Sequence, residues 1–303
     1  MITKIPASRV ARLDVPQAVL GESVRWDDRR GLVFYVDTEG RELRGYDPAD
    51  GSHRIWPLEQ RVGAWFPSLD GRLLMAMETG LFWFSPETAQ TELYAPLEPD
   101  APEMRGNDGR CDPQGRLWIS TMNMEKEAES DRGRLYRVAP DGSAPEPVME
   151  GLHVANTTAF SPDGRRMYFA DTPLRRVWRF DFDGRTGTMS GRRTFFALDD
   201  DATGQPDGAC MDSDGGLWVA MPKGGRVERR DPDGSLDVVV ETPCENPTMC
   251  GFGGAGLETL FITSKSEGLS AAERAARPDE GALFAVSPGR TGLPEARFGA
   301  APG

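Results

Sequence analysis

Short apolar stretches alternate with polar turns along the whole chain, and one turn phrase recurs. It combines a small or acidic residue with Pro or Asp and a glycine, followed by an apolar pair, as in SLDGRLLM, DPQGRLW, SPDGRRMYF and DSDGGLW. A glycine turn between alternating apolar runs is typical of a β-hairpin, because glycine accepts the positive φ that tight turns require. Each phrase therefore predicts two short antiparallel strands.

The glycines of these phrases divide the chain into six units of roughly 40 to 50 residues. They are Gly31, Gly71, Gly115, Gly164, Gly215 and Gly256. Spacing of this length, filled with short strands and without a long helical stretch, is typical of a β-propeller with four strands in each unit. We therefore predict an all-β protein in which residues 1–303 form a single six-bladed β-propeller with four-stranded antiparallel blades.

The sixth unit lacks an outer strand if LFITS and GALFAVS are its middle pair. Two segments could supply that strand, RVARLDV near the start of the chain or PEARFGA near its end. Closed β-architectures remove their sheet edges. We therefore expect the N- and C-terminal segments to close the ring.

The amino-acid composition limits the classes of partner that this protein is expected to bind. The net charge of −13 disfavours binding to nucleic acid or to an anionic membrane surface. No apolar run approaches the ~20 residues of a membrane span, and the segment MITKIPASRVARLDV lacks the apolar centre of a signal peptide. These features predict a cytoplasmic protein with a small-molecule partner, and they leave its oligomeric state open. The four cysteines show no metal-site spacing, so we expect buried, reduced thiols.

Only two histidines are present, His53 and His153. Hydrolases that activate a serine or cysteine usually need an adjacent imidazole, and no GxSxG motif is found. Hydrolytic chemistry would therefore rest on carboxylates and a metal. We expect His53 on an outer strand, whereas His153 could approach the mouth of the channel. The DxDG strings at 181–184 and 231–234 lack the remaining ligands of a calcium loop and are interpreted as turns.

Equivalent positions of the innermost strands should converge on the propeller axis. Counting back eight residues from each turn glycine, or nine in the first unit, selects Glu22, Gly63, Asn107, Asn156, Asp207 and, with its register in doubt, Thr248. Two carboxylates aimed at one point repel each other unless a cation or protons intervene. An all-oxygen set predicts one axial divalent cation, with calcium as the first choice and magnesium, manganese or zinc as alternatives. The other interpretation is that these polar side chains cap turns and line a water-filled channel without binding a metal.

The segments LGESVRWDD, RGNDGRCDPQGRLWISTM, VANTTAFSPDGRRMYFADT and GQPDGACMDSDGGLWVA resemble the SMP-30/gluconolactonase family, which includes regucalcin and bacterial sugar lactonases. The resemblance covers nearly the whole chain and implies a six-bladed propeller with one divalent metal in its channel. It implies that Glu22, Asn156 and Asp207 bind this metal. It also implies that the side chains contacting the substrate are Arg105, Asn107 and Glu125.

Two departures fall beside these positions. The family's usual Asn-Gly-Leu is Asn156-Thr157-Thr158 here, and its Gly-Thr-Met begins with Ser120. Both could reshape the pocket. Arg105 could instead pair with a nearby carboxylate, and Glu125 could belong to a solvated charged loop. We expect that loop and the segment SKSEGLSAAERAARPDEG to roof the channel mouth.

The expected function is metal-dependent hydrolysis of a sugar lactone, such as gluconolactone, to the aldonic acid. The metal would polarise the carbonyl, and Asp207 would take a proton from the attacking water. Two alternatives remain. One is an organophosphate or aryl-ester hydrolase, and the other is a calcium-binding propeller without turnover.

Overall fold

A computed structural model describes residues 2–125 and 131–299. Across these residues the strands form six sheets. The innermost strand of each sheet contacts that of the next, and the last contacts the first, so the sheets close into a ring. The prediction of an all-β, six-bladed propeller with four-stranded antiparallel blades is confirmed.

In each blade, strands after residue 20 follow one another in chain order from the axis outward. Blade one contains β3 (Gly21–Asp27), β4 (Leu32–Asp37), β5 (Glu42–Tyr46) and β6 (His53–Pro57). Blade two contains β7 (Val62–Pro67), β8 (Leu73–Met77), β9 (Gly80–Ser85) and β10 (Gln90–Pro96). Blade three contains β11 (Met104–Cys111), β12 (Leu117–Asn123), β13 (Gly133–Val138) and β14 (Glu146–Leu152). Blades four and five contain β15 (Ala155–Phe160), β16 (Arg166–Asp171), β17 (Arg176–Asp183), β18 (Thr188–Ala197); and β19 (Ala209–Met211), β20 (Leu217–Met221), β21 (Arg226–Arg230), β22 (Leu236–Glu241). Blade six contains β23 (Pro247–Gly253), β24 (Thr259–Ser264) and β25 (Phe284–Val286).

The remaining elements are short. They are β1 (Thr3–Ile5), β2 (Ala11–Arg12), the helix α1 (Ala271–Ala276) and the 3-10 segments Ala7–Arg9 and Thr172–Leu174. Between residues 2 and 125 and between 131 and 299, we find no helix with the length and apolarity needed to cross a bilayer.

The N-terminal chain supplies the outer strand of blade six, because β2 pairs antiparallel with β25. The strand β1 adds a fifth, parallel strand to blade five through β22, which the repeat pattern did not predict. The competing C-terminal segment forms no strand of blade six. It crosses to the other side of the ring, where Phe298 bridges to Ser68 beside blade two.

The turn phrase folds as its glycines predict. Five of the six marker glycines adopt positive φ, whereas in blade six this conformation falls on Gly254 rather than on Gly256. In two blades an aspartate organises the whole turn. Asp112 accepts main-chain hydrogen bonds within its own turn and a hydrogen bond from Trp118 Nε1 (3.1 Å). Asp212 does the same for Trp218 (2.8 Å), so the phrase fixes both the hairpin and a core side chain.

The apolar core is divided into wedges between neighbouring blades. Six buried clusters are found in the described residues, and each joins one blade to the next around the ring. Trp65, Trp118 and Trp218 are fully buried in three of them. Because each wedge is shared by two blades, burial of apolar surface depends on closure of the complete ring.

Two buried arginines tie the innermost strands together on the axis. Arg25 donates to main-chain oxygens in β7 (3.0 Å) and β11 (2.7 Å). Arg110 donates to main-chain oxygens in β15 (3.2 Å) and β19 (2.9 Å). Glu295, from the C-terminal segment, accepts two hydrogen bonds from Arg110 (2.8 and 3.0 Å) and lies 3.9 Å from Arg25 Nε.

This axial pairing generates a stability prediction. Glu295→Gln leaves two buried guanidinium groups without their carboxylate, so we expect the free energy of unfolding to fall by about 3 kcal/mol. The matched control is Glu92→Gln, which removes an exposed partner of Arg72 and should cost about 0.5 kcal/mol or less. Urea denaturation measures both, and equal effects would contradict the axial role.

Candidate functional site

A cavity of about 420 Å³ opens at one end of the propeller axis. All six blades contribute to its wall, including residues just outside the strands. The lining residues are Leu20, Glu22, Glu39, Arg61, Arg105, Asn107, Met122, Met124, Val154, Asn156, Thr172, Pro173, Gln205, Asp207, Pro222, Lys265 and Glu267. The three predicted metal ligands and two of the three predicted substrate residues therefore face one shared space.

A bulge in the innermost strands aims these side chains. Regular pairing is interrupted near the start of five of those strands, namely β3, β7, β11, β15 and β23. A bulge leaves residues unpaired and turns a side chain out of the regular alternation. In blade five the same end of the strand is irregular, and Asp207 precedes β19, with its main-chain N–H bonded to Ala220 O (3.0 Å). The repeated irregularity explains why one count from the turn glycines reached the axis.

Left-handed residues directly follow two of the predicted ligands, Ser23 (φ 54°) and Thr157 (φ 59°). This conformation is strained for residues other than glycine. Hydroxyl groups anchor both residues to the next blade. Ser23 Oγ accepts a hydrogen bond from the main-chain N–H of Trp65 (3.0 Å), and Thr157 Oγ1 donates to the main-chain oxygen of Asp207 (2.6 Å).

The departures from the family pattern thus lie outside the lining of the cavity. Thr157 is fully buried against the next blade, and Thr158 is buried in β15. Ser120 Oγ donates to main-chain oxygens of Asp108 (2.8 Å) and Ala155 (3.2 Å). The hydroxyl groups of Ser120 and Thr157 join neighbouring blades, and none of the three residues is part of the cavity wall.

Two of the six equivalent axial positions are closed to a ligand. At Gly63 a Cβ atom would lie 2.2 Å from the main-chain oxygen of Gly106, so no side chain fits there. Thr248 is buried, and its hydroxyl is hydrogen bonded to Gly21 O and to Thr263 Oγ1. The oxygen donors therefore come from the other four blades.

Charge is disfavoured on the two predicted carboxylate ligands. Burial raises the pKa of Glu22 well above its usual range, and the negative charges of Asp207 and then Asp108 raise it further. Burial also raises the pKa of Asp207 to about 7, with the ammonium of Lys265 opposing the shift and Asp108 adding to it. A divalent cation between the two carboxylates would relieve both effects.

Hydrogen bonds orient the amide of Asn156. Its Nδ2 donates to Thr172 Oγ1 (2.9 Å), and that hydroxyl donates to Pro206 O (2.7 Å). The amide oxygen is then directed to the side of Asn107, whose Nδ2 lies 3.4 Å away. With two carboxylates and one amide oxygen, the set fits a hard divalent cation, which prefers oxygen ligands.

Arg105 and Asn107 form a pair on the adjoining wall. Arg105 Nη1 donates to Asn107 Oδ1 (2.9 Å) and to Gly106 O (2.8 Å). In the described part of the chain, Nε and Nη2 of Arg105 make no hydrogen bond, and no carboxylate lies within 4 Å of this guanidinium. Arg105 therefore keeps donors for a ligand, and the alternative pairing with a nearby carboxylate, Glu103 or Asp108, is not formed.

Glu125 is not among the lining residues. It is exposed, and its main-chain N–H bonds to Asn123 Oδ1 (2.8 Å). Met122 and Met124 from the same stretch face the cavity instead. The predicted roofing loop continues into residues 126–130, which lie outside the described part of the chain.

Charged residues that the sequence analysis did not select also line the cavity. Arg61 is held by Glu39 (3.0 Å) and by Glu78 (2.9 Å), and Lys265 lies 3.7 Å from Glu267. Arg61, Glu39 and Glu78 lie on loops that carry no repeat phrase. Lys265 and Glu267 lie at the start of the segment predicted to roof the mouth, and that position was the signal that could have identified them.

Neither histidine lines the cavity. His53 is exposed on the outer strand β6, as predicted. His153 is held by Asp171, with 3.0 Å between Nδ1 and Oδ2, and it does not reach the cavity wall. All four cysteines are free and buried, as predicted.

Comparison with known sequences agrees with this geometry. Residues 20–266 match the sequence model of the SMP-30/gluconolactonase/LRE-like region. The chain belongs to this family.

Members of the family with a similar sequence include named lactonases. The 6-deoxy-6-sulfogluconolactonase of Pseudomonas putida is 36% identical over 284 residues, covering 93% of this chain and 95% of that protein. The L-arabinolactonase of Azospirillum brasilense is 33% identical over 299 residues, covering 98% of each. A calcium-binding protein, regucalcin, from Agrobacterium tumefaciens has a crystal structure that matches with a TM-score of 0.92 at 32% identity, covering 99% of this chain and 100% of that one.

The raised pKa values of Glu22 and Asp207 predict how the stability of the protein depends on pH when a chelator keeps it free of metal. A carboxyl group whose pKa is raised by folding stabilises the fold below its unfolded pKa, and this contribution is lost as the pH rises through the folded value. For Asp207 that interval ends near pH 7. We therefore expect the free energy of unfolding of the chelated protein to fall between pH 5 and pH 7.5, and calcium to reverse the loss.

Asp207→Asn should reduce this slope in urea denaturation at several pH values. The control is Asp50→Asn, because Asp50 is fully exposed and hydrogen bonding to Ser52 lowers its pKa, away from this interval. An Asp207→Asn protein with the wild-type slope would contradict the assignment.

Proposed function

We propose that this protein is a metal-dependent lactonase that hydrolyses a sugar lactone to its aldonic acid. The observation that carries the proposal is the shared cavity. It combines two carboxylates and an amide oxygen, suited to a cation, with the unused donors of Arg105 on the adjoining wall. The named lactonases among the relatives support the same reaction class.

Glu22, Asn156 and Asp207 would hold one divalent cation, with calcium as the first choice. A cation bound there supplies Lewis acidity, which polarises the lactone carbonyl and makes water more acidic. The regucalcin relative is described as calcium-binding, which supports that choice. No group of three or more His, Cys, Asp or Glu residues suited to a metal occurs in the described chain, so this set depends on the asparagine.

Asp207 would act as the general base. The oxygen of water attacks the carbonyl carbon, and the Asp207 carboxylate accepts the proton that the water loses. Collapse of the tetrahedral species breaks the bond to the ring oxygen and leaves a carboxylic acid and a hydroxyl group. A bound cation lowers the basicity of Asp207, so this role depends on the same cation making the attacking water more acidic.

Arg105 and Asn107 would bind the substrate. The planar guanidinium presents Nε and Nη2 to the cavity, and such a fork suits ring hydroxyls or a carbonyl oxygen. Asn107 holds the guanidinium through Oδ1 and bonds to Ala155 O through Nδ2 (3.0 Å), so the donor direction is fixed before binding. Glu125 stays a proposed substrate contact at the edge of the described residues.

The two alternatives predict different behaviour. An organophosphate or aryl-ester hydrolase would turn over those substrates and not aldonolactones. A calcium-binding propeller without turnover would bind the cation and hydrolyse nothing. The free donors of Arg105 beside the ligand set favour the lactonase, because a purely structural cation site has no use for them.

The central test is acid release from a panel of aldonolactones, corrected for spontaneous hydrolysis. We expect turnover by calcium-loaded protein, loss after chelation and recovery on reloading. Asp207→Ala should lower kcat by at least about 100-fold. The control Asp214→Asn alters an exposed turn and should leave kcat unchanged. Equal rates in chelated and loaded protein would refute metal dependence, and turnover of aryl esters or phosphotriesters alone would refute the lactonase.

Substrate binding gives a second prediction. Arg105→Lys keeps the charge and removes the planar fork, so KM for the best lactone should rise about 10-fold. Arg61→Lys is the matched control, since Arg61 is already engaged by Glu39 and Glu78. A larger KM effect from Arg61→Lys than from Arg105→Lys would contradict the assignment.

A further inference from the structure

Lys265 lines the cavity, and the lactonase mechanism proposed above gives it no role. We propose that Lys265 is a further catalytic residue, whose ammonium group gives a proton to the ring oxygen as it leaves the lactone carbonyl. The inference rests on the proposed lactonase function and adds the proton donor that this function requires.

The backbone fixes Lys265 at the rim of the cavity. It follows β24 in blade six and forms an antiparallel bridge with Leu20, which leads into blade one. Its main-chain N–H also bonds to Asn246 O (3.1 Å), on the side of blade five. Attachments on both sides hold its Cα where the side chain lines the cavity.

The ammonium group has one long ion pair and no hydrogen bond in the described residues. Its side chain is 31% exposed, and its contact with Glu267 Oε2 is a loose ion pair at 3.7 Å. Lys265 Nζ makes no hydrogen bond to any residue in 2–125 or 131–299. Arg61, the other cation on the rim, is by contrast hydrogen bonded to two carboxylates (3.0 and 2.9 Å).

The charge of Lys265 acts on the side of the cavity that holds the predicted ligands. Its ammonium opposes the burial that raises the pKa values of Glu22 and Asp207. Lys265, Glu22 and Asp207 line the same cavity, so a lactone whose carbonyl is bound at the two carboxylates would share this space with the ammonium group.

The reaction needs such a donor. When the carbon–oxygen bond of the ring breaks, the electron pair goes to the ring oxygen, and a sugar alkoxide is too basic to leave without a proton. An ammonium ion is a much stronger acid than a sugar alcohol. The Lys265 amine then recovers a proton from Asp207, through water, so that both groups return to their starting states.

Other described residues of the lining are poorer donors. Arginine side chains keep their protons in proteins. No described histidine faces the cavity, and Glu39 accepts a hydrogen bond from Arg61. Lys265 thus lines the cavity with a transferable proton on a group that no hydrogen bond to a described residue holds.

The test compares two six-membered lactones that differ in the leaving oxygen. Glucono-δ-lactone releases an alcohol, whereas dihydrocoumarin releases a phenol, whose anion can leave without a proton. For Lys265→Met we expect kcat on glucono-δ-lactone to fall about 100-fold, and kcat on dihydrocoumarin to change by less than about 3-fold. Lys265→Arg keeps the charge but cannot donate, so it should show the same selective loss.

Calcium binding without substrate gives an independent readout. Lys265→Met removes a positive charge near Glu22 and Asp207, so calorimetry should show tighter binding by at least about 3-fold. Lys265→Arg should bind calcium like the wild type. A misfolded variant would weaken binding instead, which separates damage from the proposed role. Arg61→Met is the control and should preserve the ratio of kcat values on the two lactones.

The possible failures are distinguishable. Wild-type protein that hydrolyses neither lactone refutes the proposed function, and this inference falls with it. Wild-type turnover combined with equal losses on both lactones, or with full activity of Lys265→Arg, refutes the proton donor alone.

Discussion

Charge that is buried on the propeller axis has to be neutralised within the axis itself, and this constraint links the closure of the ring to the site. The carboxylate of Glu295 lies against the guanidinium groups of Arg25 and Arg110. Their positive charge in turn opposes the burial that raises the pKa of Asp108. Negative and positive groups therefore alternate along the axis. Arg25 on blade one reaches blades two and three, and Arg110 on blade three reaches blades four and five, so the same charges also hold the ring together.

The alternation stops at the cavity. Asp108 is followed by Glu22 and Asp207, which are again negative and repel it, as the raised pKa values of both show. A positive layer is the next element that this pattern requires. Protons can supply it at low pH, and Lys265 supplies part of it from the rim. A divalent cation would complete it at neutral pH, which is the physical reason that the proposed metal belongs to this end of the axis.

The fold could be predicted from the sequence because the signals for it are local and are repeated along the chain. Each turn phrase encodes a hairpin, and in the blades of Trp118 and Trp218 an aspartate fixes turn and core together. The count from the turn glycines reached the cavity at Glu22 and Asp207 because the irregularity recurs at the same end of the innermost strands, although the first hairpin is one residue longer than that of blade five. The fifth strand on blade five had no such signal, since β1 pairs with β22 across more than 200 residues of chain.

Residues on the loops were not predictable in this way. Glu39, Arg61, Lys265 and Glu267 stand at blade ends whose lengths differ, so no register carries from one unit to the next. The resemblance to a family selected Arg105 and Asn107, both on β11 and both in the cavity wall, whereas Glu125, which it also selected, is exposed. Motif transfer reached the cavity on a strand and did not reach it at the edge of a loop.

Function in a repeated fold requires that the repeats differ at the axis. Gly63 and Thr248 withhold a ligand in blades two and six, so the proposed cation would be held by blades one, four and five, with blade one across the axis from blade four. Cationic side chains line the cavity from the remaining blades, with Arg61 on blade two and Lys265 on blade six. In the proposed mechanism the lactone would lie between a cation that activates its carbonyl and an ammonium group that protonates its leaving oxygen.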